Sequence, residues 1–287
     1  MEAALSLVFA FSAMVFWGIG DSLIQKTTRK IGDMETLAYI GALCTLMLLP
    51  VALPEIHLLS DSRNFLLVLA LGIVTFIAAM FNFESLKQGK LSVVDVVLEF
   101  ELPVTIALGF FFFGERLSLV QLGIILLIFV GIVLIAARSF SHFAKKIERG
   151  VFLALIGSTF MGVVNFLTAT TAKTVSPIMA VWADGLIFTS ICFVVILKRE
   201  GFSKFISNGI KFKWLILAMG VFDTLAWMSY SFSVLKQKIS LITAITESYP
   251  AVAMIIGVYF NNEKIRWHQY LGAVLALSAS FLLAMTV

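Results

Sequence analysis

The chain has 287 residues, 60% of them hydrophobic and 13% charged, with a net charge of +4 and a mean hydropathy of +1.02. Soluble domains carry about 25% charged residues, so the composition excludes a soluble globular domain and identifies an integral membrane protein. The apolar runs have the ~20-residue length of spanning helices, not the ~10-residue alternation of a membrane barrel, and the basic residues sit in short loops, where membrane topology explains them better than nucleic acid.

In chain order, hydropathy between charged turns predicts ten helices, at 4–24, 34–54, 64–86, 92–113, 118–136, 151–172, 177–197, 214–235, 239–260 and 268–286. No basic segment precedes the first run and no cleavage site follows it, so it reads as a retained span. The longest connections are 137–150 and 198–213, too short for a soluble domain. Cys44 and Cys192 lie inside apolar runs as packing residues, and neither a disulfide framework nor a metal centre is expected. No cofactor motif is present. Without an ATP-binding P-loop, any active transport must draw on a gradient or a partner.

The chain repeats itself. "SLKQGKLSVVDVVLEFELP" (85–103) resembles "VLKQKISLITAITESYP" (234–250), "GERLSLVQLG" (114–123) resembles "NEKIRWHQYLG" (262–272), and "FWGIGDSLIQKTTRKIG" (16–32) resembles "FMGVVNFLTATTAKTVS" (160–176). The expected organisation is a first five-helix repeat at 1–137, a connection at 138–150 and a second five-helix repeat at 151–287. Five is odd, so the second repeat enters the membrane from the opposite side. Inverted repeats of this kind recur in secondary transporters, with the substrate site near the midplane between the halves. Sixteen of the 21 Lys and Arg fall in loops 24–34, 86–92, 136–151, 197–214 and 260–268. The positive-inside rule makes that side cytoplasmic and both termini external.

Ten helices in two repeats, the early Trp17-Gly18, and a proline followed about a dozen residues later by an acidic-basic pair are the features in question. The pairs are Glu115-Arg116 after Pro103 and Glu263-Lys264 after Pro250. Together they resemble the EamA-type branch of the drug/metabolite transporter superfamily. That resemblance covers the whole chain and implies alternating access between the halves. It also implies a cavity lined by helices one to four and six to nine, peripheral helices five and ten, and cytoplasmic termini, against the charge count. Independently, spans five and ten contain no Asp, Glu, Lys or Arg. Such helices suit lipid or a second copy of the chain, which leaves room for a homodimer.

Nine acidic residues fall within the predicted spans, Glu35 at the very start of the second among them, and no Lys or Arg does. Asp21, Glu84 and Asp95 lie near helix ends, where interfacial or capping roles compete with functional ones. Glu99, Glu101, Asp184, Asp223 and Glu247 lie nearer mid-span. An acid at the helix centre costs about 2.5–3.5 kcal/mol on insertion scales. Five without a base must face a wet cavity, hold a proton or bind a cation. Asp95 and Glu99 are four apart and share a face. Glu101 lies about 200° round from Glu99. Pro103 cannot donate to the Glu99 carbonyl, which is expected to be free as a ligand, and Pro250 does the same for Thr246. Glu99 and Glu247 are repeat mates and the first choice of site pair; the competing reading gives one of them a structural hydrogen bond.

Aromatic residues accompany the acids, as in cages for amines. Tyr39 and Trp182 are expected in the interfacial belt, Trp17, Trp227 and Tyr249 deeper on the cavity wall, and Tyr230 among the same group. Asn165, the repeat mate of Asp21, needs a polar partner or water. "FFFF" at 110–113 is a lipid contact. Gly18–Gly20 and Ser278–Ser280 allow close helix approach.

These residues point to a secondary transporter in the cell (inner) membrane. Its cargo is a small polar metabolite, cationic or zwitterionic, such as an amine or amino acid, coupled to a proton or sodium. An anion is disfavoured, since no mid-membrane Lys or Arg would hold it. An enzyme is disfavoured because His57, His142 and His268 lie at loops or helix ends and neither HExxH nor GxSxG occurs. An aspartyl-type pair, a channel or a non-transporting scaffold stays open from sequence.

Overall fold

The computed structural model describes residues 2–88, 91–137, 149–199, 201–261 and 265–287; side chains at 91–93, 95, 199, 260 and 261 fall outside the description. The described residues form helices and turns with no strand. The first half contains α1 (Glu2–Ile31), α2 (Asp33–Ala52), α3 (Ser62–Gln88), α4 (Leu91–Leu98), α5 (Glu101–Phe113) and α6 (Leu119–Ala136). The second contains α7 (Arg149–Thr174), α8 (Pro177–Arg199), α9 (Phe202–Lys211), α10 (Lys213–Ser233), α11 (Ile239–Thr246), α12 (Tyr249–Asn261) and α13 (Trp267–Ala284). Among the described residues ten segments are long and apolar enough to cross a membrane, as two repeats of five.

Three expectations about the elements themselves change. The fourth and ninth spans are each broken, into α4 and α5 at Glu99-Phe100 and into α11 and α12 at Glu247-Ser248. The 198–213 connection holds a helix of its own, α9. And α1 runs to Ile31, which places Lys26, Arg29 and Lys30 on its last turns rather than in a loop; cations there meet the negative end of the helix dipole.

The breaks follow from proline. Pro103 and Pro250 lack the N–H that would continue the ladder, and their rings crowd the preceding turn. The backbone tightens to three-residue links instead: Phe100 N–H donates to the Val97 carbonyl at 3.1 Å, and Ser248 N–H to the Ile245 carbonyl at 3.2 Å. Leu102 N–H donates to the Glu99 carbonyl at 3.3 Å. That carbonyl, expected to be free, is therefore used by the turn itself.

The helix pairings obey the pseudo-twofold axis. The most extensive contacts are α1 with α10, α3 with α7, α2 with α8 and α6 with α13. Exchanging the halves turns the first pair into the second and leaves the other two unchanged. Each of these contacts joins the two halves, so neither half is a free-standing layer. Equivalent caps start the last helix of each half: Ser118 N–H donates to Gln121 Oε1 at 3.1 Å and Arg266 N–H to Gln269 Oε1 at 3.0 Å.

Lipid gives helices no hydrophobic reason to associate, so association rests on close packing and hydrogen bonds. The α6–α13 crossing shows this. A Cβ on Gly272 would stand 2.6 Å from the Gly131 carbonyl oxygen, so the backbones touch there. The outer faces of both helices expose large apolar side chains such as Leu126 and Val274. Phe110, Phe111 and Phe112 are likewise exposed, whereas Phe113 packs inward against Phe166. Tyr39 and Trp182 do not lie in an outward belt: both are buried, Tyr39 against Phe205 and Trp182 donating its Nε1–H to the Thr45 carbonyl at 3.1 Å.

Candidate functional site

A cavity of about 310 Å³ lies between the halves. Its walls come from α1, α2, α3, α4, α5, α7, α8, α10, the α11–α12 break and α12, and none from α6 or α13. Asp21, Glu101, Asp184, Asp223 and Glu247 all line it, and among the described residues its wall includes no Lys, Arg or His. Asp21 is exposed to this space although it sits well inside α1.

The carboxylates form two groups. In the first, Glu101 and Glu247 stand within hydrogen-bonding reach of each other, with Asp21 and Glu99 nearby. Asn165 donates its Nδ2–H to Glu247 Oε1 at 3.3 Å. Glu247 Oε2 is buried and meets no N–H or hydroxyl donor among the described residues. Tyr230, fully buried, hydrogen-bonds the Asn165 carbonyl at 3.3 Å and the Thr243 hydroxyl at 3.0 Å. It therefore braces the two helices that carry Asn165 and Glu247. The second group is Asp184 on α8 and Asp223 on α10, beside Thr75 and Cys44. Asp184 Oδ1 and Thr75 Oγ1 are both buried, and neither makes a hydrogen bond of normal geometry among the described residues. No cluster suited to a metal ion occurs among the described residues.

Aromatic rings wall the first group. Trp17 meets Trp227 edge-on at 4.9 Å and lies 5.6 Å from Tyr230 and 6.2 Å from Tyr249. Trp17, Trp227 and Tyr249 line the cavity, and Tyr230 supports them from behind. Close approach of the helices makes this possible. A Cβ on Gly18 would fall 2.6 Å from Val252 of α12, and one on Gly20 would fall 3.6 Å from the Asp223 nitrogen. The Ser278–Ser280 segment also packs, with Ser280 Oγ 2.7 Å from Ser248 Oγ.

The break changes which acid faces Glu247. Glu101, the first residue of α5, meets it, while Glu99 sits in the turn before and does not line the cavity. Asp95 is on α4, so the turn separates it from Glu99; its side chain lies outside the described residues. Thr75, Asn82 and Thr168 line the cavity and escape the sequence reading, and Cys44, expected only as a packing residue, lines it too. Each is a small or neutral polar residue in an apolar run, with no charge or repeat match to single it out.

The cavity reaches unequally toward the two ends of the molecule. On α1 its lining runs from Trp17 to Ile24, and on α3 from Thr75 to Leu86, toward the end where α1 stops and α2 begins. At the other end every residue of α11 is buried. The helix packs on α5 and α6 more extensively than α4 packs on their counterparts α12 and α13, among the described residues. Glu115, just after α5, accepts hydrogen bonds from the α11 N-terminus, and Lys238 Nζ donates to the Arg116 carbonyl at 2.7 Å. The matching Glu263-Lys264 lies outside the described residues.

A model of the EamA-like transporter family matches residues 4–137 and again residues 148–285. No curated protein matches the chain. Among solved structures, one described only as the crystal structure of a protein superposes with a TM-score of 0.80 at 16% sequence identity, covering 98% of each chain. At that identity the likeness is one of fold.

Proposed function

The chain belongs to the EamA-like transporter family, and on that premise we propose that it is a secondary active transporter of a small cationic or zwitterionic metabolite, an amine or amino acid, working by alternating access. The observation that carries this reading is the cavity wall, which among the described residues holds five carboxylates and no fixed cation. Buried charge is tolerated only when it is paired, and here the partner has to be mobile.

The two carboxylate groups divide the work. A carboxylate is an acceptor only, so contact between Glu101 and Glu247 requires a proton between them. We assign that pair to proton coupling, in preference to sodium. Asp184, Asp223 and Thr75 offer acceptors to an ammonium group, which donates three hydrogen bonds. The Trp17, Trp227 and Tyr249 faces attract a cation by their ring quadrupoles. An ammonium arriving near Glu247 replaces the shared proton as the source of positive charge, and that replacement is the coupling step. Alternating access then reverses the α4–α11 asymmetry, so that α11 loosens as α4 docks. We place the protein in the cell (inner) membrane. The charge count puts the Lys-rich end, toward which the cavity extends, on the cytoplasmic side.

Proteoliposomes test this reading. A primary amine added to vesicles containing the protein is expected to move protons across the membrane, read by a trapped pH indicator, and to show counterflow of labelled amine. The absence of both proton flux and counterflow with every amine and amino acid tried would overturn it.

A further inference from the structure

A second concavity, of about 320 Å³, opens between α2, α9 and α10 on the outer surface of the bundle. Leu43, Ile216, Leu217 and the Trp214 ring give it apolar walls, and Lys213 stands at its rim. Lys213 Nζ lies 5.5 Å from the centre of the Trp214 ring, and Lys30 and Lys211 each place Nζ 5.2 Å from the centre of the Phe212 ring. Three ammonium groups therefore gather around two adjacent aromatic rings. Residues 201–222 contain no Asp or Glu, and the acid that α2 brings to α9, Glu35, pairs with Lys204 and Asn208.

The neighbouring α9 has the form of a helix that lies in the membrane surface. Phe202, Ile206 and Ile210, spaced four apart along one stripe, are exposed. Its opposite side is tied down. The Phe205 ring stacks on Tyr39 at 4.1 Å, the Tyr39 hydroxyl donates to the Phe205 carbonyl, and Asn208 Nδ2–H donates to Glu35 at 2.7 Å. Gly209 permits the Tyr39 approach, since a Cβ there would fall 2.6 Å from the Tyr39 oxygen. Trp214 is 74% exposed, as a ring at headgroup depth would be.

We propose that this crevice binds one anionic phospholipid of the surrounding bilayer, with an acyl chain along Leu43, Ile216 and Leu217 and the phosphate held by Lys30, Lys211 and Lys213. Charge complementarity selects the occupant. A zwitterionic lipid would fill the apolar groove equally well but would bring no net charge to the three ammonium groups. The site bears on transport through α2. That helix presents Tyr39 and Leu43 to the crevice and Leu37, Ile40 and Cys44 to the central cavity, so lipid occupancy steadies one wall of the transport path.

Native mass spectrometry of the purified protein in a neutral detergent tests the site directly. Equal amounts of phosphatidylglycerol and phosphatidylcholine with identical chains are added. The wild type is expected to carry the anionic lipid about fivefold more than the zwitterionic one, or better. Lys211→Gln with Lys213→Gln brings the ratio close to unity, and Lys213→Glu alone does so should the double variant fold poorly. Arg63→Gln, exposed elsewhere on the surface, leaves the preference intact, and added inorganic phosphate does not displace the lipid. A wild-type ratio near unity, or a preference that survives both lysine variants, would overturn the proposal.

Discussion

The Glu115 carboxylate accepts the backbone N–H of Ile239 at 2.6 Å, and with it the N–H and hydroxyl of Ser240 at 3.0 and 2.6 Å. Glu115 belongs to the first half and α11 to the second, so the contact closes the molecule across the pseudo-twofold. It satisfies donors that a helix start leaves open and sets an anion at the positive end of the dipole. Glu115→Gln turns one acceptor into a donor facing donors. A charge-assisted hydrogen bond contributes about 1.5–3 kcal/mol, enough to move a two-state equilibrium about tenfold. Spin labels at Leu119 and Lys236, both exposed at this end, are expected to show a longer-distance population in Glu115→Gln that the wild type lacks. An unchanged distance distribution would mean that α11 is held by packing alone.

The Glu101–Glu247 pair predicts a proton readout. Addition of saturating amine to the purified protein in weak buffer should release protons from the wild type. Glu247→Gln and Glu101→Gln should each abolish that release while binding persists. The sign of the pH effect follows from competition: apparent amine affinity rises as pH rises, because the shared proton leaves more readily. In the Gln variants the affinity becomes flat with pH over the same interval. Isothermal titration at several pH values checks both statements.

Asp184 and Asp223 predict an effect of another kind. Each faces the cavity from a helix of the second half. If an ammonium group is held there, Asp184→Asn and Asp223→Asn each weaken amine binding by at least about tenfold, the loss expected for one charged hydrogen bond in a desolvated site. Proton release per bound amine is unaffected, since the Glu pair remains. Loss of proton release together with binding would show that the two carboxylate groups act as one.

The readable part of this chain was whatever scales with hydropathy and with duplication. Ten spans, two repeats and the acid-bearing cavity wall are carried by long apolar runs and by mid-span carboxylates whose cost marks them out. The proline positions were visible, yet their effect was read only as a freed carbonyl. A local 3₁₀ link absorbed that carbonyl and rotated Glu101, rather than Glu99, toward Glu247. Repeat matching could not foresee this, because Glu99 and Glu247 align by sequence while the turn decides which side chain meets which. Helix α9 was missed for a different reason: it is short and charged, and hydropathy alone reads such a segment as loop. The cavity positions of Cys44, Thr75 and Asn82 leave no mark in the sequence, because a small polar residue costs little within a span wherever it faces.

Gly131 and Gly272 separate stability from transport. Their backbones meet at the α6–α13 crossing, where a Cβ on Gly131 would fall 2.7 Å from the Ala276 nitrogen and one on Gly272 2.6 Å from the Gly131 oxygen. Both atoms are backbone and have no rotamer to yield, so the helices themselves must part. Overpacking of this sort costs about 1–3 kcal/mol. Gly272→Leu is therefore expected to lower the melting temperature in detergent clearly. Because neither α6 nor α13 contributes to the cavity, the fraction that stays folded should bind amine as the wild type does. Thermal unfolding followed with and without amine distinguishes the cases. A lowered midpoint with the ligand-induced rise preserved fits a peripheral scaffold, whereas loss of the rise would mean that the α6–α13 seam moves during transport.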